Sequence, residues 1–342
     1  MSRLSSTLLS FYSTLLVAVS VPAAGQSYHV AKTFTLGGDG GWDYVALDTA
    51  GHRLFVARQT RVMVIDPTTG KLLAEIPGLN RAHGVAFSYG TGKGFATSGG
   101  DSSVVVFDLK TLQVLGRTPA AVDADAVLYD PATKHIFTFN GDAASSSVID
   151  AATGKNIGTI PLGGKPEFGV STGDGKLFAN IEDSSQVVEI DPAGMKVTRR
   201  WGLAPCESPT GLAIDRAHGI LFSVCRNGVM AISDAKAGTV ITTVPIGQGV
   251  DAARFDARAQ LAFASNGDGT ITVIHEDAPN KFTVVGTVQT KRGARTMELD
   301  EASHRLFTVT ADFGPAPAAT PDRPRPRPPV LPGTFALLEL DP

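Results

Sequence analysis

The sequence predicts an all-β chain folded as a seven-bladed β-propeller of four-stranded antiparallel blades, and three observations predict it. Short apolar runs recur at a fixed period. Their residues suit strands, not helices. The last period lacks its fourth run, while a spare run stands near the start of the chain.

The first run of each period is Tyr44-Val-Ala-Leu-Asp48, Gly84-Val-Ala-Phe-Ser88, Ala126-Val-Leu-Tyr-Asp130, Gly169-Val-Ser-Thr-Gly173, Gly211-Leu-Ala-Ile-Asp215, Ala252-Ala-Arg-Phe-Asp256 and Thr296-Met-Glu-Leu-Asp300, at intervals of 40 to 44 residues. A polar turn and a second run follow, as in Leu54-Phe-Val-Ala57 and Leu177-Phe-Ala-Asn180. A third run closes on Asp in Val62-Met-Val-Ile-Asp66, Val104-Val-Val-Phe-Asp108, Ser147-Val-Ile-Asp150 and Val187-Val-Glu-Ile-Asp191. A fourth follows a turn such as Pro67-Thr-Thr-Gly-Lys71. Runs of four to six residues, β-branched or aromatic and bounded by Gly, Pro, Asn and Asp, are strand chemistry. Four per ~42 residues is the period of a propeller blade. His29-Val-Ala-Lys-Thr-Phe-Thr-Leu36 supplies the missing outermost strand of blade seven, so the ring closes by joining both chain ends and leaves no open sheet edge.

This repeat, strand–Asp–turn–Leu-Phe–strand–Ile-Asp-Pro-x-Thr-Gly-Lys, resembles the YVTN or YncE-like propellers of bacteria over essentially the whole mature chain. Gly41-Trp42-Asp43-Tyr44, Pro209-Thr210-Gly211-Leu212-Ala213, Cys225-Arg226-Asn227, Ser265-Asn266-Gly267-Asp268-Gly269 and Thr310-Ala-Asp-Phe-Gly314 are similar to an exported branch of that family. The resemblance implies the fold and export. It implies no single reaction, because fold does not dictate function.

The leader agrees with export. Arg3 precedes an apolar stretch from Leu8 to Val21, and small residues around Ala23-Ala24-Gly25 suit cleavage. Residues 1–25 are therefore expected to be a signal peptide and 26–342 a single domain, monomeric and periplasmic or secreted, with no membrane span after cleavage. Net charge is −3 with no clustered basic face, which excludes a nucleic-acid footprint. The two cysteines, Cys206 and Cys225, are expected to bridge in an oxidising compartment. Cys225 falls nearly opposite Pro209 across an antiparallel pair, so the loop carrying Cys206 has to fold back. A Pro/Arg-rich insertion at about 313–332, with Arg323, Arg325 and Arg327, cannot join a sheet ladder and is expected as an arm over or beside the channel.

In a propeller the innermost strands line an axial channel, and the residues just ahead of them share one rim. Here those residues are Asp43, His83, Asp125, Phe168, Thr210, Asp251 and Arg295, with Trp42, Arg81, Asp123, Glu167 and Glu207 just upstream. One reading makes them polar caps on nearby backbone groups. The other makes them a site. Asp43, His83, Asp125 and Asp251 then hold a divalent metal ion, while Trp42, Glu167, Glu207 and Arg295 bind a ligand, Arg295 by a bidentate contact to an anion. His52, His135, His218 and His304 fall on the far rim and are expected to be solvated. No G-x-S-x-G, H-E-x-x-H, P-loop or C-x-x-C occurs. The expected function is binding of a small molecule or protein partner at the mouth. The alternative is a metal-assisted hydrolase, lyase or lactonase using the same residues.

Overall fold

The computed structural model describes residues 28–318, 320 and 326–342. The expected leader and Arg323 and Arg325 lie outside them. Among the described residues the regular structure is β-strand, with two 3-10 turns at Tyr89–Thr91 and Gly99–Asp101, and no helix is long and apolar enough to cross a membrane.

The architecture is a β-propeller, but its blade count corrects the expectation. Six sheets form instead of seven, five of four strands and one of six. The first two sequence repeats share the larger sheet. Arg53–Ile65 carries both the second and third runs of the first repeat, and Leu72–Ser88 carries its fourth run together with the innermost run of the second. Leu72–Ser88 pairs back onto Arg53–Ile65 from Ile65↔Leu72 to Gln59↔Ala82 and forward onto Lys93–Ser98. Passages between the other repeats, at 120–123, 162–165 and 246–251, contain turn or irregular backbone that ends the ladder; at 78–81 the ladder skips, with Gly78 and Arg81 at positive φ of 86 and 53°, and resumes at Gln59↔Ala82.

The ring closes through the last sheet. His29–Thr35 lies antiparallel on Ala336–Asp341, from His29↔Asp341 to Thr35↔Ala336, and Lys32 Nζ meets Glu339 Oε1 at 3.0 Å. Between sheets the core is built from one recurring position. The Phe of the second run (Phe55, Phe95, Phe137, Phe178, Phe222, Phe263 and Phe307) is at most 3 % exposed in every repeat. Each such burial contributes about 1.5–3 kcal/mol, so the Leu-Phe signature is a packing signature. The Asp that ends a third run folds the next turn: Asp66 Oδ1 accepts from Thr68 N and Thr69 N, and Asp108 and Asp191 repeat the pattern.

Cys206 and Cys225 are bridged, with Cα atoms 5.6 Å apart. Pro209 pairs with Cys225, and the loop ahead of it turns back through Cys206 N to Leu203 O and Arg226 N to Glu207 O. A bridge over 19 residues contributes about 3 kcal/mol.

Candidate functional site

Two local devices aim side chains into the mouth. The innermost strands of repeats two to five each skip register at their start, between Ala82 and Val85, Ala124 and Val127, Pro166 and Gly169, and Pro209 and Leu212. Such a bulge re-aims the unpaired residues. His83, Asp125, Glu167 with Phe168, and Thr210 occupy it. Two positions ahead of His83, Asp125 and Thr210, the non-glycine residues Arg81, Asp123 and Ser208 take positive φ of 53, 60 and 50°, a local cost that surrounding structure has to hold.

The second device is a stitch between neighbouring repeats. Thr97 Oγ1 donates to Asp125 O at 2.5 Å, Asn180 Nδ2 to Thr210 O at 2.9 Å, Ser265 Oγ to Arg295 O, and Thr296 Oγ1 to Asp43 O at 3.0 Å. Each donor reaches the backbone of the next repeat's mouth residue, and the last does so across the ring closure.

The result brings Asp43, His83 and Asp125 together, with one ligand atom of each within 4.8 Å of the others. His83 Nδ1 is 2.5 Å from Asp43 Oδ2 and 3.4 Å from Asp125 Oδ1. One ring nitrogen thus faces two carboxylates, and Asp125 Oδ1 is buried with no hydrogen-bond partner. Burial, against the pull of His83, pushes the Asp125 carboxyl up to about 7. Burial works to lower His83, but the Asp43 hydrogen bond and the charges of Asp125 and Asp43 outweigh it, and the net shift is upward.

Asp251 stands apart from this group. It pairs with Arg295 at 3.1 Å, and burial raises it to about 6 despite that partner. Arg295 also feels Asp43 and Asp125, so it links the two halves of the mouth. Glu167 belongs to a further cluster. Burial first, then a hydrogen bond to Glu182, pushes it up to about 9. Glu182 is itself half-buried, but that bond and the cations Lys165 at 3.1 Å and Arg226 at 2.9 Å hold it below its ordinary range. Glu207 is exposed and makes no ion pair with the mouth cations among the described residues; its backbone N is held by Asn227 Oδ1 at 3.1 Å in the loop that carries the disulfide.

Tyr44 and Phe168 form the floor. Their rings lie 5.2 Å apart. Tyr44 is surrounded above by Asp125, Asp251, Asp43 and Glu167, and burial with those charges drives its phenol well above the ordinary range. Below, both rings wall a cavity of about 110 Å³ beside the Arg254–Glu298 pair. Trp42 packs on Phe335 and Phe313, at 5.3 and 6.1 Å between ring centroids, and also lines a pocket of about 410 Å³ at the edge of the mouth with Arg292, Arg295, Phe313, Arg327 and Val330. The described ends of the Pro/Arg-rich arm, at Phe313 and at Arg327 to Val330, therefore lie beside the mouth. These ends join no sheet, but they meet each other: Phe313 forms an isolated bridge with Val330, Gly314 N donates to Pro329 O and Leu331 N to Asp312 O.

Position in the repeat found Asp43, His83 and Asp125. It missed Tyr44, Lys165, Glu182 and Arg226. The last two lie on turns between second and third strands, which share the mouth's rim, and that shared rim was the available signal. No protein-family model matches the chain, and no curated protein sequence matches it.

Proposed function

We propose that this chain is an exported, YncE-like propeller that binds an anionic organic ligand at its mouth, over a divalent cation held by Asp43, His83 and Asp125. One observation carries the reading: two carboxylates and an imidazole converge with Asp125 Oδ1 lacking any donor, directly beside an arginine-rich pocket. A cation between the carboxylates relieves their mutual repulsion. Arg295, Arg292 and Arg327 suit a carboxylate or phosphate, and Trp42 and Phe313 suit its apolar part. The Cys206–Cys225 bridge agrees with an oxidising compartment. A second reading, metal-assisted hydrolysis or lactone opening, is favoured by Arg295 standing between pocket and cation group. A ligand oxygen held by Arg295 would then lie near a Lewis acid.

The test is thermal unfolding with manganese, zinc or calcium and with chelator. A cation at one hundred times its dissociation constant stabilises by about 2.7 kcal/mol. Asp125→Ala is expected to abolish that shift. Arg295→Ala is expected to abolish a further shift caused by aromatic carboxylates or phosphate monoesters. A wild-type melting curve indifferent to all of these would reject the proposal.

A further inference from the structure

The rim opposite the mouth was expected to carry solvated histidines. Two of them are not free. His304 Nδ1 lies 2.5 Å from the buried Asp256 Oδ2, and His218 is set between two repeats. Asp215 ends the innermost strand of the fifth repeat, Pro209–Asp215, and His218 sits in the turn that follows. Glu276 lies late on Thr270–Ala278, a third strand of the sixth repeat that is nine residues long where its counterpart in the fifth, Val229–Asp234, has six. That extra length brings Glu276 to the rim, where its backbone N donates to Gln260 O at 2.9 Å.

His218 Nδ1 is 2.5 Å from Asp215 Oδ2 and 3.2 Å from Glu276 Oε1. One nitrogen cannot serve two carboxylates well. Asp215 is otherwise provided for, since its Oδ1 accepts from Ala217 N at 2.9 Å. Glu276 is not: its side chain is 1 % exposed, and neither Oε1 nor Oε2 has a hydrogen-bond partner. A buried carboxylate without donors is costly. Lysine and arginine side chains, which meet so many other acids of this protein, form no ion pair with Glu276 or Asp215 among the described residues.

We infer that Asp215, His218 and Glu276 form a second divalent-cation site, which ties the fifth repeat to the sixth on the rim away from the mouth. The ligand atoms lie within 4.8 Å of one another. The donor set, one imidazole nitrogen and two carboxylates, suits zinc or a similar transition ion over calcium or magnesium, which take oxygen ligands. Bonds of about 2.0–2.2 Å to an ion at the centre require His218 to withdraw slightly from Asp215. The His218 side chain is 40 % exposed and has room to do so, and its exposed side leaves the remaining coordination positions to water. The inference is independent of the function proposed for the mouth.

Zinc titration by calorimetry tests it, in a His83→Ala background that removes the mouth's imidazole. The expected result is one equivalent of bound zinc and a raised melting temperature. Adding Glu276→Gln, which keeps the side chain's shape, or His218→Ala, which changes an exposed side chain, is expected to weaken binding by at least about tenfold, and far-ultraviolet circular dichroism confirms that each variant folds. Absence of zinc binding in the His83→Ala protein, or full affinity in either double variant, would overturn the inference. A preference for calcium over zinc would overturn it as well.

Discussion

At the scale of single residues, the mouth is organised by protons as much as by charges. Glu167 binds its proton more tightly in the folded chain, up to about pH 9, than in the unfolded chain, where a glutamate loses it near pH 4.5. Between those values the native state holds the extra proton, so stability falls as pH rises through this window. Below it both states are protonated and the contribution is complete. Glu167→Gln is expected to flatten that decline and to leave the variant more stable than wild type at pH 8. Urea unfolding of both proteins at pH 5 and pH 8 measures it, and equal slopes with pH would contradict it. The Glu167–Glu182 pair was hidden in the sequence for a physical reason. Glu167 was placed by its position in the repeat, but its partner comes from a turn whose reach depends on that turn's own conformation. Glu207 shows the reverse: the bulge position that matches Glu167 is taken by Thr210, and Glu207 stands three residues upstream, exposed in the loop that carries the disulfide.

At the scale of elements, the bulges and the stitches between repeats require backbones to come close. Gly211 shows how close. A Cβ there would sit 2.7 Å from Ala252 Cα, Ala253 N and Asp251 O, all main-chain atoms that cannot swing aside. Gly211→Ala is expected to cost about 1–3 kcal/mol and to disturb the Asp251–Arg295 pair, because the main chain that must retreat includes Asp251, just ahead of the strand Ala252–Asp256. Chemical denaturation reads the first effect. A variant as stable as wild type would show that the strands separate freely. The elements themselves were largely legible, since apolar runs bounded by turn residues are local signals. The fusion of two repeats into one sheet was not. The pairing Gln59↔Ala82, made across the skipped residues Gly78 to Arg81 with their positive φ at both ends, is not a local signal.

At the scale of the whole molecule, one outer strand holds the ring shut. His29–Thr35 covers the edge of Ala336–Asp341, and a bared edge is open to other chains. A chain beginning at residue 37 is expected to lose at least about 10 °C of melting temperature, since each kcal/mol is worth a few degrees in a protein of this size. It is also expected to self-associate. Calorimetry and light scattering on the truncated chain measure both, and a monomer with an unchanged melting point would refute the clasp.

The Tyr44–Phe168 ring pair, 5.2 Å between centroids, narrows the axial channel beneath Asp43, His83 and Asp125. A solute held among those residues then exchanges most readily on the side of Arg295, Trp42 and Phe313. Where arrival and departure share one doorway, whatever narrows it slows both in the same proportion, so a bulky side chain placed there lengthens a guest's stay without altering how tightly it is held.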